Sequence, residues 1–318
     1  MKESPLCQFE PLTLNPSTLL DGDSCFFKLI GGSKVLVRNY LQMLLTSALW
    51  GSSFLLMKLA LVELNPFHIS FYRIFIGMIF MNLFITKIDK LSKKDHLNIG
   101  LVGLLWMSLP FYLFAASEET ISSSLAGLIN GSTPIFISIV GVLFFSQKIS
   151  KIQKIYLMLG FIGIYVLSFG FNKVNIDLEV GTFLALIASI SYGFAANIVQ
   201  PLIKKFGALN VLKIALRYGS VFSFILFSLN TKILIPTVNE SLFPILLLGV
   251  GSSGIAFLSF YKLIDDVGSI IGSITIYLVP IFSIIFGYIF LNEETTFVQI
   301  IGIAAIIFSA YMFSNKES

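Results

Sequence analysis

Residues 123–145 read SSLAGLINGSTPIFISIVGVLFF and residues 268–291 read GSIIGSITIYLVPIFSIIFGYIFL. Each block is long enough to cross a ~30 Å hydrocarbon core as a helix, and each holds a proline in the same tripeptide, Pro134-Ile135-Phe136 and Pro280-Ile281-Phe282. Sliding 125–168 over 271–314 at a constant offset of 146 aligns Gly141 with Gly287, Phe144 with Phe290, Gln153 with Gln299, Tyr165 with Tyr311 and Ser168 with Ser314. So many matches in one order mark an internal repeat. Upstream, Trp50-Gly51 meets Tyr192-Gly193 at a slightly shorter offset, and Arg73 meets Arg217 after a small gap.

The whole chain shares the character of these blocks. Of 318 residues, 56% are hydrophobic and 12% charged, with 32 Phe and a mean hydropathy of +0.90; a soluble domain carries about twice that share of charge to face water. The lipid bilayer is therefore the solvent. Apolar blocks near 41–62, 67–86, 97–116, 123–145, 152–171, 180–200, 208–229, 242–262, 268–291 and 297–314 predict ten helices, since blocks of about 20 residues are too long for barrel strands. The expected fold class is an all-α polytopic membrane protein, organised as a polar tail over 1–38 and two five-span repeats over 39–172 and 178–314. An odd number of spans per copy inverts the second copy, an arrangement that puts a substrate path at the interface between copies.

Positive residues resist translocation and so set sidedness. With the N-terminus inside, the inner segments carry Lys2, Lys28, Lys34, Arg38, Lys87, Lys90, Lys93, Lys94, Lys148, Lys151, Lys154, Lys204, Lys205, Lys262 and Lys316, against Lys173 and Lys232 outside. This predicts both termini in the cytoplasm, in a plasma membrane of bacterial inner-membrane type. The tail lacks the basic start, apolar run and cleavage site of a signal peptide. Cys7 and Cys25 both lie in it and predict free thiols on a reducing side. The basic residues form no continuous patch, which excludes nucleic-acid binding, and no Cys or His spacing suggests a metal or cofactor; none is expected.

The chain resembles the EamA family of the drug/metabolite transporter superfamily over about 40–314. The resemblance rests on Trp50-Gly51-Ser52-Ser53-Phe54 in the first span, Phe71-Tyr72-Arg73 in the second, the proline-bearing fourth span around Pro134, and Leu291-Asn292-Glu293-Glu294 after the ninth. Two departures stand out. Asn292 occupies a place where glycine is usual, and the first repeat's counterpart, Ser146-Gln147, lacks the acid. The resemblance implies a secondary transporter working by alternating access, with a small polar metabolite such as an amino acid as its partner, and leaves a homodimer open.

An ionised side chain within a span is costly and faces a cavity or a partner. Lys58 and Lys213 lie about a turn from span ends and can snorkel; Arg73 and Arg217 lie deeper. Each arginine either clamps helix-end carbonyls or binds an anionic group, and their matching places in the two repeats predict that both face a shared path. All 17 carboxylates fall outside the predicted spans, which favours a facilitator or exchanger over a proton antiporter unless Glu63, Glu118 or Glu293 dips inward. Asn130 stands four residues before Pro134, so its carbonyl loses an amide partner, and an open backbone in lipid needs protein or a water-filled cavity around it. Trp50 and Tyr192 match in the repeats and read either as aromatic walls or as core packing. With Asn197 and Tyr277 they complete the predicted substrate-binding set: Arg73, Arg217, Asn130, Trp50, Tyr192, Asn197 and Tyr277. Further span residues, among them Ser52, Ser132, Thr133, Gln200 and Thr275, bond more often to their own or a neighbouring helix.

Two rivals stand beside a transporter. Gly251-Ser252-Ser253-Gly254 reproduces the Gly-x-Ser-Gly string of rhomboid intramembrane proteases, but a nucleophilic serine needs a histidine within hydrogen-bond reach. His68 and His96 are predicted at opposite membrane faces, which argues against an enzyme. A non-transporting membrane scaffold is the other.

Overall fold

The computed structural model describes residues 37–84, 90–146, 150–169, 176–229, 235–237, 240–294 and 296–314. The cysteines, nearly all of the tail and the loop lysines Lys87, Lys148, Lys173 and Lys232 lie outside them. One compact unit spans Gln42–Ser318. Among the described residues the protein is helical throughout, as expected for an all-α polytopic membrane protein.

The helices are α1 (Val37–Ala60), α2 (Pro66–Asn82), α3 (Lys93–Val102), α4 (Leu109–Ser117), α5 (Ser123–Asn130), α6 (Thr133–Phe144), α7 (Lys151–Phe169), α8 (Ile176–Phe206), α9 (Ala208–Ser228), α10 (Leu242–Leu246), α11 (Ala256–Leu291) and α12 (Phe297–Ser314). Two π-helical segments, Gly103–Ser108 and Leu247–Ile255, join α3 to α4 and α10 to α11. Six stretches are each long and apolar enough to cross a membrane: Arg38–Ala60, Lys93–Ser117, Ser123–Phe144, Val180–Phe206, Ala208–Ser228 and Leu242–Asp266. Their outward residues include Phe183, Phe224 and Phe243, all more than half exposed, as lipid-facing side chains should be.

Local chemistry fixes the helix ends. Asn65 opens α2, its Oδ1 accepting from Phe67 N at 3.1 Å and His68 N at 3.2 Å, with Pro66 in the first turn where a missing N–H costs nothing. Ser92 and Asp95 form a reciprocal capping box on α3. The fourth span breaks at Gly131-Ser132, directly after Asn130 and before Pro134, where the sequence places the opened backbone. The corresponding stretch of α11 stays continuous.

Continuity there also differs from expectation at Asp265-Asp266-Val267-Gly268, where hydropathy predicts a loop between the eighth and ninth spans and α11 instead runs unbroken. Two acids make a polar patch, not a helix breaker, and the first proline of α11 is Pro280. Phe257 and Ile276, 19 residues apart on α11, nonetheless line one cavity, whereas a straight helix at 1.5 Å per residue would set them about 29 Å apart, so the axis turns between the two predicted spans.

The two halves repeat each other in three dimensions. Ser47 Oγ donates to Thr275 O at 2.9 Å, and Ser189 Oγ, 142 positions on, donates at 3.4 Å to Ile129 O, 146 positions back from Thr275. Gly51 packs on Phe282 and Gly193 on Phe136. The π-helical segments also correspond: Gly103 lies against the Ala215 carbonyl and Gly249 against the Arg73 carbonyl. Asn292, where glycine is usual, takes the left-handed conformation at φ 52°, and its counterpart Ser146 does the same at 55°; asparagine tolerates that region through its short polar side chain.

The two cations near span ends hold helix C-terminal carbonyls. Lys58 Nζ donates to Glu118 O and, at 3.0 Å, to Ile121 O, while Lys213 Nζ donates to Phe84 O at 2.5 Å. Both place positive charge where the helix dipole is negative.

Candidate substrate cavity

A cavity lies between the repeats, lined by Trp50, Ser53, Phe54 and Met57 of α1, Arg73 of α2, Trp106, Phe111 and Phe114 of the third span, Asn130, Thr133 and Ile137 of the fourth, Tyr192 of α8, and Phe257 and Ile276 of α11. It offers about 50 Å³ to the centres of water-sized molecules, against roughly 10–15 Å³ for a single water. It therefore has room for several waters or one small organic molecule.

Its walls are aromatic. Trp50 packs on Phe257 at 5.2 Å edge-on and on Phe260 at 4.8 Å, and Phe114 packs on Tyr192 at 5.9 Å. Trp50 and Tyr192 each touch both hydrophobic core clusters, so these repeat mates stand at the seam between them. Trp50 Nε1 donates to Ser252 O at 3.3 Å and Ser252 Oγ returns a bond to Leu49 O at 2.8 Å. On the other side Ser191 Oγ donates to Leu105 O at 2.7 Å. In both cases the π-helical segment supplies the carbonyl, since widened turns leave backbone acceptors for outside donors.

Arg73 is the cavity's charge. It is 3% exposed, and its Cζ lies 3.7 Å from the Phe111 ring centroid. Nε donates to Ser253 Oγ at 3.2 Å and Nη1 to Met57 Sδ at 3.3 Å. A guanidinium has five N–H donors, so among the described residues three are left without a protein acceptor and no carboxylate lies within salt-bridge distance of it. Asn130 accepts from Thr133 Oγ1 at 3.4 Å, and its amide N–H groups find no protein acceptor among the described residues.

Of the seven predicted site residues, the cavity thus brings together Arg73, Asn130, Trp50 and Tyr192. Asn197 lies elsewhere, its Nδ2 donating to Ile137 O at 3.0 Å and Gly193 O at 2.8 Å, a tie between α8 and α6. Tyr277 is buried but not among the lining residues. Arg217 does not face the cavity: it is exposed, and its Nη2 donates to Asn82 Oδ1 at 2.5 Å. The reason is register. Packing fixes the offset in this part of the repeat at 142, pairing Gly77 with Gly219 and the Arg73 carbonyl with that of Ala215. Arg217 is two residues past that place, about 200° around the helix.

The lining residues outside the predicted set carry a usable signal. An offset of 146 takes Phe111 to Phe257 and Asn130 to Ile276, and all four line the cavity. The serine of the Gly-Ser-Ser-Gly string, Ser253, serves as the acceptor for Arg73. His68 Nδ1 lies 2.5 Å from Asn65 Oδ1 and His96 Nδ1 2.9 Å from Tyr218 Oη.

Glu293, just past the end of α11, ties that helix to the start of α5. Its carboxylate accepts from Ser123 N at 2.8 Å, Ser123 Oγ at 3.0 Å, Ser124 N at 2.8 Å and Ser124 Oγ at 2.5 Å. Negative charge at a helix N-terminus is stabilising, and its first-repeat counterpart, Gln147, falls outside the described residues. Glu293→Gln keeps an acceptor but removes the charge. It should lower thermal stability in detergent by on the order of 1 kcal/mol, whereas Glu294→Gln, on the exposed neighbour, should leave the melting curve in place.

Two repeat copies around a cavity that holds a buried arginine fit a multi-pass membrane protein of the transporter class. The EamA-like transporter family model matches residues 38–169 and 179–315, one match per repeat, and the chain belongs to that family. Similar proteins include the Bacillus subtilis "Uncharacterized transporter YoaV", 23% identical over 89% of this chain and all of that one, and an Archaeoglobus fulgidus "Uncharacterized transporter", 23% identical over 88% and 98%. The Arabidopsis thaliana "WAT1-related protein At3g02690, chloroplastic" is 25% identical over 84% of this chain and 67% of its own. A protein of known crystal structure shares the fold at a TM-score of 0.63 and 15% identity, covering 86% of this chain and 95% of that one.

Proposed function

We propose that this membrane transporter carries a small polar metabolite bearing an anionic group, with amino acids as the leading class, by alternating access of the central cavity. The observation that carries this reading is Arg73, a buried guanidinium with three N–H donors left over in a cavity built by both repeats. A carboxylate matches the planar fork of those donors in two places. Asn130 offers further donors, and the rings of Trp50, Tyr192 and Phe257 suit the apolar part of a small ligand. The lysine and arginine count favours both termini on the cytoplasmic side of a bacterial plasma membrane.

The test is an untargeted comparison of metabolites inside and outside cells with and without the protein, followed by counterflow of the responding compound in liposomes. The expected result is a shift in one or a few carboxylate-bearing metabolites and saturable exchange. A response confined to organic cations, or no exchange of any responding compound, overturns the reading.

A further inference from the structure

Glu118 follows directly on α4, in the connection to α5, outside the spanning stretches Lys93–Ser117 and Ser123–Phe144. It is nonetheless fully buried, and neither carboxyl oxygen has a hydrogen-bond partner among the described residues. An ionised carboxylate in that setting is expensive, while a protonated one is tolerated.

The charged groups around it leave its carboxyl unpaired. Lys58 of α1 spends its Nζ on the backbone carbonyls of Glu118 and Ile121. Arg73 of α2 is held by Ser253 and Phe111. Glu293, after α11, is bonded to Ser123 and Ser124. The neighbouring Glu119 is exposed, and α8 comes against this connection at Gly181, beside Ser117 O and Thr120. Tyr192 on the same helix is the titratable group of α8 that faces Arg73. Burial outweighs the attraction of the two cations and holds the Glu118 carboxyl well above the ordinary value of 4.5, with the charge of Glu293 pushing the same way.

We infer that Glu118 is a proton-binding site that couples the conformation of the cavity to the proton gradient, making the carrier a proton-linked one. In this conformation the carboxyl holds its proton more tightly than an exposed carboxylate does. When the connection opens to water the O–H bond breaks, the proton passes to solvent, and the carboxylate that forms has Lys58 Nζ, already bonded to its own backbone carbonyl, beside it. No reactant besides the proton is needed. The inference rests on the transport reading for its meaning, yet the site is testable without any transported compound.

The full chain in detergent is titrated with protons alone and followed by infrared difference spectroscopy. A carboxylic-acid carbonyl band should titrate above the range of exposed carboxylates, be absent in Glu118→Gln and persist in Glu119→Gln. Because a raised folded-state pKa gives stability that is lost as pH rises through it, the melting temperature should fall toward alkaline pH in the native protein and stay flat in Glu118→Gln. Coupling is read in vesicles from Ile137→Cys, in a background with Cys7→Ser and Cys25→Ser. Its labelling by a membrane-impermeant maleimide should depend on pH, and adding Glu118→Gln should remove that dependence. A band that never appears or survives Glu118→Gln, or labelling whose pH response is unchanged by that variant, overturns the inference. Should Glu118→Gln fail to fold, Glu118→Asp should move the midpoint of the band, and an unmoved midpoint is equally fatal. Normal titration with no metabolite response in cells would instead fault the transport reading alone.

Discussion

Arg73→Lys should raise the concentration for half-maximal transport by at least about tenfold while the protein stays in the membrane at normal abundance. Lysine keeps the positive charge but not the planar fork, and a bidentate grip reduced to a point contact loses roughly 1–3 kcal/mol, where 1.4 kcal/mol is about a factor of ten. It also gives up the stacking of the guanidinium on Phe111 at 3.7 Å. Arg73→Ala should abolish transport. Arg217→Lys is the informative partner: its guanidinium is exposed and bonded to Asn82, so affinity should be unchanged. Apparent affinity measured by counterflow for all three variants decides the matter, and equal losses at Arg73 and Arg217 would contradict the asymmetric cavity.

Gly103→Ala should be among the most damaging substitutions in the protein. A Cβ there would lie 2.5 Å from the Ala215 carbonyl oxygen and 2.8 Å from Gly219 N. Both are backbone atoms, so relief requires the third and seventh spans to move apart. Close approach through small residues is a main source of helix association in lipid, and overpacking of this kind costs about 1–3 kcal/mol or more. Fluorescence-detected thermal unfolding should show a loss of several degrees, with reduced membrane abundance. Gly100→Ala, one turn away, is the control. Its added Cβ would meet only Tyr218 ring carbons at 3.7–3.9 Å, ordinary van der Waals contact, and stability should match the native protein.

Much of this architecture can be read from the chain because lipid imposes it. Only helices satisfy every backbone group in the core, so apolar block length alone gives the spans, and Pro134 against Pro280 reveals the duplication. Asn130 is legible for a backbone reason, since a proline four residues on frees its carbonyl. Arg217 misleads because an offset of 144 sits between 142 and 146, and only the glycine contacts decide which applies at α9. Glu118 misleads differently. Loop residues are ordinarily solvated, and nothing local in Ser117-Glu118-Glu119 distinguishes the acid that turns inward from the one that turns out. The π-helical segments carry no hydropathy signal of their own, because one extra residue in a turn leaves an apolar block apolar.

The place in α9 that mirrors Arg73 holds Ala215, so the duplicated frame carries one handhold, not two. Under the proposed alternating access, a ligand gripped there would not be passed from one copy to the other. On the proposed reading it would keep a single pose relative to α2 through the whole cycle, entering and leaving past the same arginine, with only the direction of the opening changed.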